Sequence, residues 1–197
     1  MASETSFRIA LFLVMLSTMS VAAYHRWRAA VAGERISHRE EGYLFAAVLR
    51  LIGLCLWIST LAYLLAPSVV AWAQVSLPLW LRWLGIALGG LCPILMYWTL
   101  SNLGVNLTDT VVTRNKATLI TQGPYRWVRH PFYVSAAAVM FSAILISANL
   151  LIGISSVAVL SLLAIRTPKE EQMLIERFGD PYRQYMARTG KFFPHLR

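Results

Sequence analysis

The stretch GPYRWVRHPFY, residues 123–133, places a histidine, two arginines and two tyrosines directly before an apolar run. That run continues from Phe132 to Ser147, and a second run follows from Leu150 to Ile165 after only two residues. This pattern predicts a tight helix-turn-helix, with one long re-entrant segment as the alternative. A second charged cluster, Arg166 to Glu171, comes directly after the second run. Because ionisable groups at the edge of a membrane span are costly and are usually functional, the two clusters predict one site built from both.

The composition of the whole chain is that of a membrane protein. Of its 197 residues 57% are hydrophobic, and the mean hydropathy is +0.57. A helix needs about 20 apolar residues to span the hydrocarbon core, and three further stretches qualify or nearly qualify: Phe7 to Ala23, Tyr43 to Ala66 and Leu79 to Leu100. The first is longer than the core of a signal peptide, so we expect a retained span. The sequence predicts an all-α polytopic membrane protein with about five transmembrane helices, forming a single domain over residues 1–197.

The distribution of charge predicts how the chain is oriented. The net charge is +9. Basic residues concentrate in residues 24–42, residues 101–131 and the tail from Arg166 onward, whereas residues 67–78 and the turn at 148–149 carry none. By the positive-inside rule, we expect an external N-terminus, with the C-terminus and the site in the cytoplasm. Since the charges flank apolar spans, topology explains them better than nucleic-acid binding does.

Single residues within the spans have structural interpretations. Gly85 and Gly89 form a G-x-x-x-G pattern, which favours close helix packing within the chain over a dimer interface. Arg82 is expected to extend its side chain toward the external interface. Cys55 and Cys92 lie in apolar stretches, and the four histidines are dispersed without a metal-binding spacing, so no metal is expected.

The segments outside the spans also carry local signals. Thr167 to Glu170 has the pattern of a helix start, with a threonine cap, a proline and a glutamate. Gly179 is expected to end that short cytoplasmic helix, and Asp180-Pro181 to begin another that reaches about Arg188. Residues 110–113 and 118–121 are short β-prone runs in the loop before the hairpin.

The two charged clusters together carry a resemblance. The first half is Gly123-x-Tyr125-x-x-x-Arg129-His130-Pro131-x-Tyr133, and after the hairpin come Glu170-Glu171-x-x-Leu174-x-x-x-Phe178-Gly179-x-x-Tyr182-x-x-Tyr185. This two-part pattern resembles the isoprenylcysteine carboxyl methyltransferase family, and phospholipid methyltransferases carry a looser version of it. The resemblance covers roughly residues 100–197, and residues 1–98 match only in hydropathy.

The resemblance implies a membrane methyltransferase that uses S-adenosyl-L-methionine and acts on the carboxylate of a lipophilic, isoprenylcysteine-like acceptor. The acceptor, a lipophilic small molecule or a prenylated substrate, would enter from the bilayer lipids. Arg129, near the transferred methyl, and Glu171 would be catalytic. The implied cofactor-binding residues are Ile120, Gly123, Tyr125, His130, Pro131, Tyr133, Glu170 and Glu171, of which the two glutamates would meet the cofactor's ammonium group.

Three other functions stay open. The acceptor can be an amine or a thiol of a lipid or small molecule, although an amine must lose a proton and would call for an added base. A sterol-type reductase shares a related C-terminal architecture but uses NADPH, for which basic rather than acidic residues in the tail would be expected. A non-enzymatic channel or scaffold should carry more polar residues within its spans than these do.

Overall fold

A computed structural model describes residues 4–32, 43–104 and 118–195 of the chain. These residues form an all-helical fold, in which isolated bridges are the only strand-like pairings described. Of the two β-prone runs, residues 118–121 are irregular, and residues 110–113 lie outside the described residues. The α-helices are α1 Glu4–Ala32, α2 Tyr43–Leu65, α3 Pro67–Val70, α4 Leu79–Leu103, α5 Pro131–Ser147, α6 Leu150–Phe178 and α7 Asp180–Arg188.

The long helices agree with an integral membrane protein. Helices α1, α2, α4 and α6 are each long and apolar enough to cross a membrane, whereas α5 is apolar but shorter, with 17 residues. The polytopic all-α prediction is therefore confirmed, with α5 as the shortest of the five expected spans.

A two-residue turn joins α5 to α6, as the tight helix-turn-helix predicts. Ala148 adopts the left-handed conformation with φ 48°, and Asn149 caps α6 by accepting a hydrogen bond from the Leu151 backbone N–H at 3.0 Å. The Asn149 side chain also donates to the carbonyl of Val70. Two separate helices flank this turn, as the helix-turn-helix prediction requires.

The predicted helix start at Thr167 is wrong. Helix α6 runs without interruption from the apolar hairpin through Thr167 and Pro168 to Phe178. Proline lacks the N–H that would bond to the carbonyl four residues earlier, and here the Thr167 hydroxyl donates to that carbonyl, of Ala164, at 2.7 Å. The predictions for the end of the tail are confirmed, since α6 ends before Gly179 and α7 covers Asp180–Arg188.

Small residues on α4 allow three helices to pack closely. A Cβ atom on Gly85 would lie 2.7 Å from Cβ of Leu145 on α5. A Cβ on Gly89 would lie 2.6 Å from both Ser142 Oγ and a methyl group of Val14 on α1. The Ser142 hydroxyl donates to the Gly85 carbonyl at 2.8 Å. The G-x-x-x-G pattern therefore serves packing within the chain, as predicted.

At the end of the bundle that carries the α5–α6 turn, Arg82 is held by the protein instead of reaching outward. Its guanidinium pairs with Glu4 at 2.7 Å, donates to the carbonyl of Ile146, and lies 3.8 Å from the ring centroid of Phe7. The Tyr63 hydroxyl donates to Glu4. These contacts join α1, α2, α4 and α5, and a partly buried charge is stabilised by pairing.

Candidate functional site

The site lies at the opposite end of the bundle, where the chain enters α5 and leaves the apolar part of α6. The preceding loop contains a 3-10 helix at Gly123–Arg126. Gly123 has φ +60°, and a Cβ atom there would lie 2.4 Å from the side chain of Asn102 on α4. Glycine is required at this position, because any other residue would strain the backbone at this positive φ and its Cβ atom would clash with Asn102.

Tyr125 anchors this loop from inside. Its side chain is buried, and its carbonyl accepts a hydrogen bond from the Tyr185 hydroxyl of α7 at 2.6 Å. Burial raises the pKa of the Tyr185 hydroxyl to about 12, against a smaller opposing effect of Arg129. The hydroxyl therefore stays protonated and able to donate at neutral pH.

Arg129 connects the loop to two other segments. Its Nε donates to Oε1 of Glu171 on α6 at 2.8 Å. Its Nη1 donates to the carbonyl of Met186 at 3.2 Å and to the carbonyl of Thr189. With its side chain only 11% exposed, Arg129 holds the loop, α6 and the end of α7 together.

His130 lies between the two glutamates. Its Nε2 is 3.3 Å from Oε1 of Glu171, and its Nδ1 is 3.6 Å from Oε2 of Glu170. The imidazole stacks on the ring of Tyr133 with the centroids 5.5 Å apart. Pro131, which follows His130, is the first residue of α5, where a missing N–H costs nothing.

Glu170 is a partner in this cluster instead of a helix cap. Arg166, one turn earlier on α6, places its Nε 2.8 Å from Oε1 of Glu170. The Tyr133 hydroxyl of α5 donates to the same oxygen. Glu170 therefore ties the start of α5 to the charged extension of α6.

Glu171 is the most enclosed carboxylate of the cluster, with 7% of the residue exposed. Besides Arg129 and His130 it contacts the ammonium group of Lys191 at 3.2 Å. It lies beyond the apolar part of α6, which ends at Ile165. Burial by itself would raise the pKa of Glu171, but hydrogen bonds with His130 and Arg129 and the adjacent positive charge outweigh it and lower the pKa to about 2. Glu171 is therefore a permanent anion at neutral pH.

The structure thus brings together most of the residues that the sequence singled out. Arg129, His130, Tyr133, Glu170 and Glu171 form one connected network, which Tyr125 and Gly123 support from the loop. Ile120 is partly buried at the start of that loop, with no described contact to the network. Within residues 4–32, 43–104 and 118–195, no group of three or more His, Cys, Asp or Glu side chains is placed to hold a metal ion.

Sequence reasoning missed Lys191, which it counted only among the basic residues of the tail. Arg166 was part of the second charged cluster and Tyr185 part of the motif, but neither had been given a partner. The spacing of Arg166 and Glu170, four residues apart on a charged helix, is a signal for an ion pair. No sequence signal links Lys191 to Glu171, because the link depends on where the tail folds.

Comparisons with known proteins agree with this organisation. The model of the "Isoprenylcysteine carboxyl methyltransferase (ICMT) family" matches residues 83–176, which include both charged clusters. The chain is 27% identical over 131 residues to protein-S-isoprenylcysteine O-methyltransferase of Homo sapiens, covering 65% of this chain and 46% of that protein. It is 31% identical over 96 residues to the uncharacterized protein YpbQ of Bacillus subtilis (strain 168), covering 48% of this chain and 57% of YpbQ.

The fold comparison extends beyond the motifs. The solved structure of the eukaryotic intramembrane Ras methyltransferase ICMT aligns with a TM-score of 0.55 at 21% identity, covering 95% of this chain and 68% of that one. At this identity the likeness concerns the fold. The present chain spans about half the length of the curated relatives it matches.

The fold and the charged network define an all-helical integral membrane protein with a polar site at the base of a helical hairpin. Residues 83–176 are similar to the isoprenylcysteine carboxyl methyltransferase family, 131 residues are similar to the human methyltransferase, and the fold is similar to that of the solved intramembrane methyltransferase.

Proposed function

We propose that this protein is a membrane methyltransferase that uses S-adenosyl-L-methionine and methylates the carboxylate of a lipophilic, isoprenylcysteine-like acceptor. The observation that carries the proposal is the buried network of Arg129, His130, Glu170 and Glu171 at the junction between apolar hairpin and polar tail. A site at this depth can receive a water-soluble cofactor from one side and a lipid-like acceptor from the other.

The charged side chains of the site match the charged groups of the cofactor. The amino-acid end of S-adenosyl-L-methionine carries an ammonium and a carboxylate, and the network offers both carboxylates and cations. Glu170 and Glu171 are suited to the ammonium group, and the remaining proposed contacts are Ile120, Gly123, Tyr125, His130, Pro131 and Tyr133. When bound, the cofactor would supply an electrophilic methyl group on a sulfonium.

The protein's own contribution is orientation and charge. A carboxylate acceptor, with a reference pKa of about 3.5, is already ionised at neutral pH, so it needs no general base. The guanidinium of Arg129 is fixed by Glu171 and by the carbonyls of Met186 and Thr189. We propose that its positive charge aligns the acceptor carboxylate. A charge that is already in place stabilises the transition state most effectively, because it need not reorganise during the reaction.

The orientation that we propose puts the site and the C-terminus in the cytoplasm and the N-terminus outside. Ala29, next to Arg28 on α1, packs with Leu100 and Phe132, so the basic end of α1 lies at the same end of the bundle as the site. Glu4, at the other end of α1, lies near the α5–α6 turn through Arg82. By the positive-inside rule the basic end is cytoplasmic. Membrane-impermeant labelling of a cysteine introduced at Ser76 should succeed from outside intact cells, and labelling at Arg183 should fail.

The first test is calorimetric titration of the detergent-purified protein with S-adenosylhomocysteine, with NADPH as the control. Binding of S-adenosylhomocysteine alone supports the proposal. Binding of NADPH alone would replace it with the reductase alternative, and binding of neither by the folded protein would contradict it.

The second test identifies the acceptor class. An S-prenylated N-acylcysteine should accept methyl groups from labelled S-adenosyl-L-methionine, and its methyl ester should not. If lipophilic amines or thiols are methylated and the acid is not, the cofactor assignment stands and the protein is an N- or S-methyltransferase.

A further inference from the structure

We propose that Lys191 binds the cofactor's carboxylate by exchanging partners with Glu171. The Lys191 ammonium is a counterion of Glu171, 3.2 Å from its Oε2. Glu171 would hold the ammonium of the cofactor and Lys191 would hold its carboxylate, so each side chain would exchange its present partner for one end of the cofactor. This inference rests on the proposed function and names a cofactor contact that the motif does not contain.

The backbone of the tail fixes Lys191 beside the site. After α7 the chain runs parallel to residues 128–130, and Val128 and Gly190 form a bridge. The backbone N–H of Arg129 donates to the Gly190 carbonyl at 2.9 Å, and that of His130 donates to the Lys191 carbonyl at 3.1 Å. Lys191 is therefore held by its main chain, and its side chain can change partners without movement of the tail.

Gly190 allows the tail to turn back sharply beside the site. A Cβ atom there would lie 1.6 Å from the carbonyl oxygen of Phe193, because the chain turns back on itself immediately after Lys191. The same turn places the ring of Phe192 5.8 Å from that of His130. The tail thus lies across the network, with Lys191 directed at Glu171.

The two oxygens of Glu171 have different surroundings. Oε1 receives Arg129 and His130, whose side chains are 11% and 8% exposed. Oε2 faces Lys191, whose side chain is 33% exposed. The Lys191 ammonium also lies 3.5 Å from the Thr167 hydroxyl. A partly exposed ion pair contributes little stability, whereas breaking an enclosed one is costly, so the Lys191 side of Glu171 is where a ligand can enter.

The pairing of charges favours this exchange, because every charged group keeps a partner of opposite charge. Inserting a zwitterion gives the Glu171 carboxylate a new ammonium and gives the Lys191 ammonium a new carboxylate. No charge is left unpaired in the partly enclosed site. A ligand with the ammonium alone would displace Lys191 from Glu171 and leave that lysine without a counterion.

The test compares two ligands on three proteins by calorimetry. The ligands are S-adenosylhomocysteine and its analogue without the carboxylate, and the proteins are the wild type, Lys191→Met and Arg183→Met. Arg183 is the control for loss of one positive charge, since its ion pair with Asp180 is exposed. Lys191→Met should weaken binding of S-adenosylhomocysteine about 10- to 100-fold, as expected for a lost charge-assisted hydrogen bond, and should not weaken binding of the analogue.

Each outcome decides between distinct conclusions. Unchanged binding of S-adenosylhomocysteine by Lys191→Met, or an equal loss for both ligands, would overturn the inference and leave the proposed function standing. Lack of S-adenosylhomocysteine binding by the folded wild type would contradict the proposed function itself. Lys191→Arg, which keeps the charge, should retain most of the wild-type affinity.

Discussion

Arg129 and Glu171 are 42 positions apart in sequence, and their side chains meet at 2.8 Å. This contact joins the segment before the hairpin to the segment after it. The same guanidinium binds the carbonyls of Met186 and Thr189. One ion pair therefore fixes the relative position of the loop, α6 and the tail, which are the three parts of the proposed cofactor site.

The coupling of Arg129 and Glu171 can be measured by a double-mutant cycle with Arg129→Met and Glu171→Gln. Because the pair is enclosed, we expect a coupling energy of about 1–3 kcal/mol in unfolding experiments in mixed micelles. Each single variant should also lose methyl transfer. The matched control is the exposed pair Asp180–Arg183, for which the coupling should be below about 0.5 kcal/mol. Equal coupling in the two pairs would show that the Arg129–Glu171 contact has no special role.

The stability contributed by Glu171 should depend on pH. Its pKa is about 2 in the folded protein against 4.5 for the unperturbed group, so the folded state binds fewer protons than the unfolded state in this window. The stabilisation is fully present above pH 4.5 and is lost as the pH falls toward 2. The difference in melting temperature between wild type and Glu171→Gln should shrink over this range. A difference that stays constant from pH 7 to pH 2.5 would contradict this assignment.

Removing the Tyr185 hydroxyl should loosen the loop at Tyr125. Tyr185→Phe deletes a buried 2.6 Å hydrogen bond to the Tyr125 carbonyl, at a cost of about 1–3 kcal/mol because the carbonyl loses its partner. If Tyr125 lines the cofactor site, affinity for S-adenosylhomocysteine should fall as well. Tyr97→Phe, at a half-exposed ring on α4, is the control and should change neither quantity.

Alanine substitutions at two neighbouring glycines of α4 should have opposite effects on stability. Gly89→Ala would place a methyl group 2.6 Å from Ser142 Oγ and from Val14, and overpacking of this kind costs about 1–3 kcal/mol. Gly90 has nothing within 4 Å of an added Cβ, so Gly90→Ala should stabilise the helix by about 0.5–1 kcal/mol. Melting temperatures of the two variants provide the measurement. Similar shifts in both would mean that Gly89 is not a close-packing position.

The sequence by itself determined the spans and the motif residues. Apolar runs must leave water and satisfy their backbone hydrogen bonds internally, which makes them helices whatever surrounds them. A turn of two residues between two such runs leaves little choice but a hairpin. The charged residues at its base, from Arg129 to Tyr133 and at Glu170 and Glu171, were therefore expected to converge, and they do.

Only the tertiary structure decided the partners of these residues. The pattern at Thr167 to Glu170 predicted a new helix, but α6 continues through it. Because α6 packs against the start of α5, Glu170 accepts a hydrogen bond from Tyr133. The Thr167 hydroxyl replaces the hydrogen bond that Pro168 cannot make. Arg82 was expected to reach water, yet Glu4 lies within its reach across the bundle. Lys191 meets Glu171 because the tail folds back along Arg129 and His130. Periodicity reports which face of a helix is apolar, whereas ion pairs between distant segments depend on how those helices are placed, and local sequence does not encode that placement.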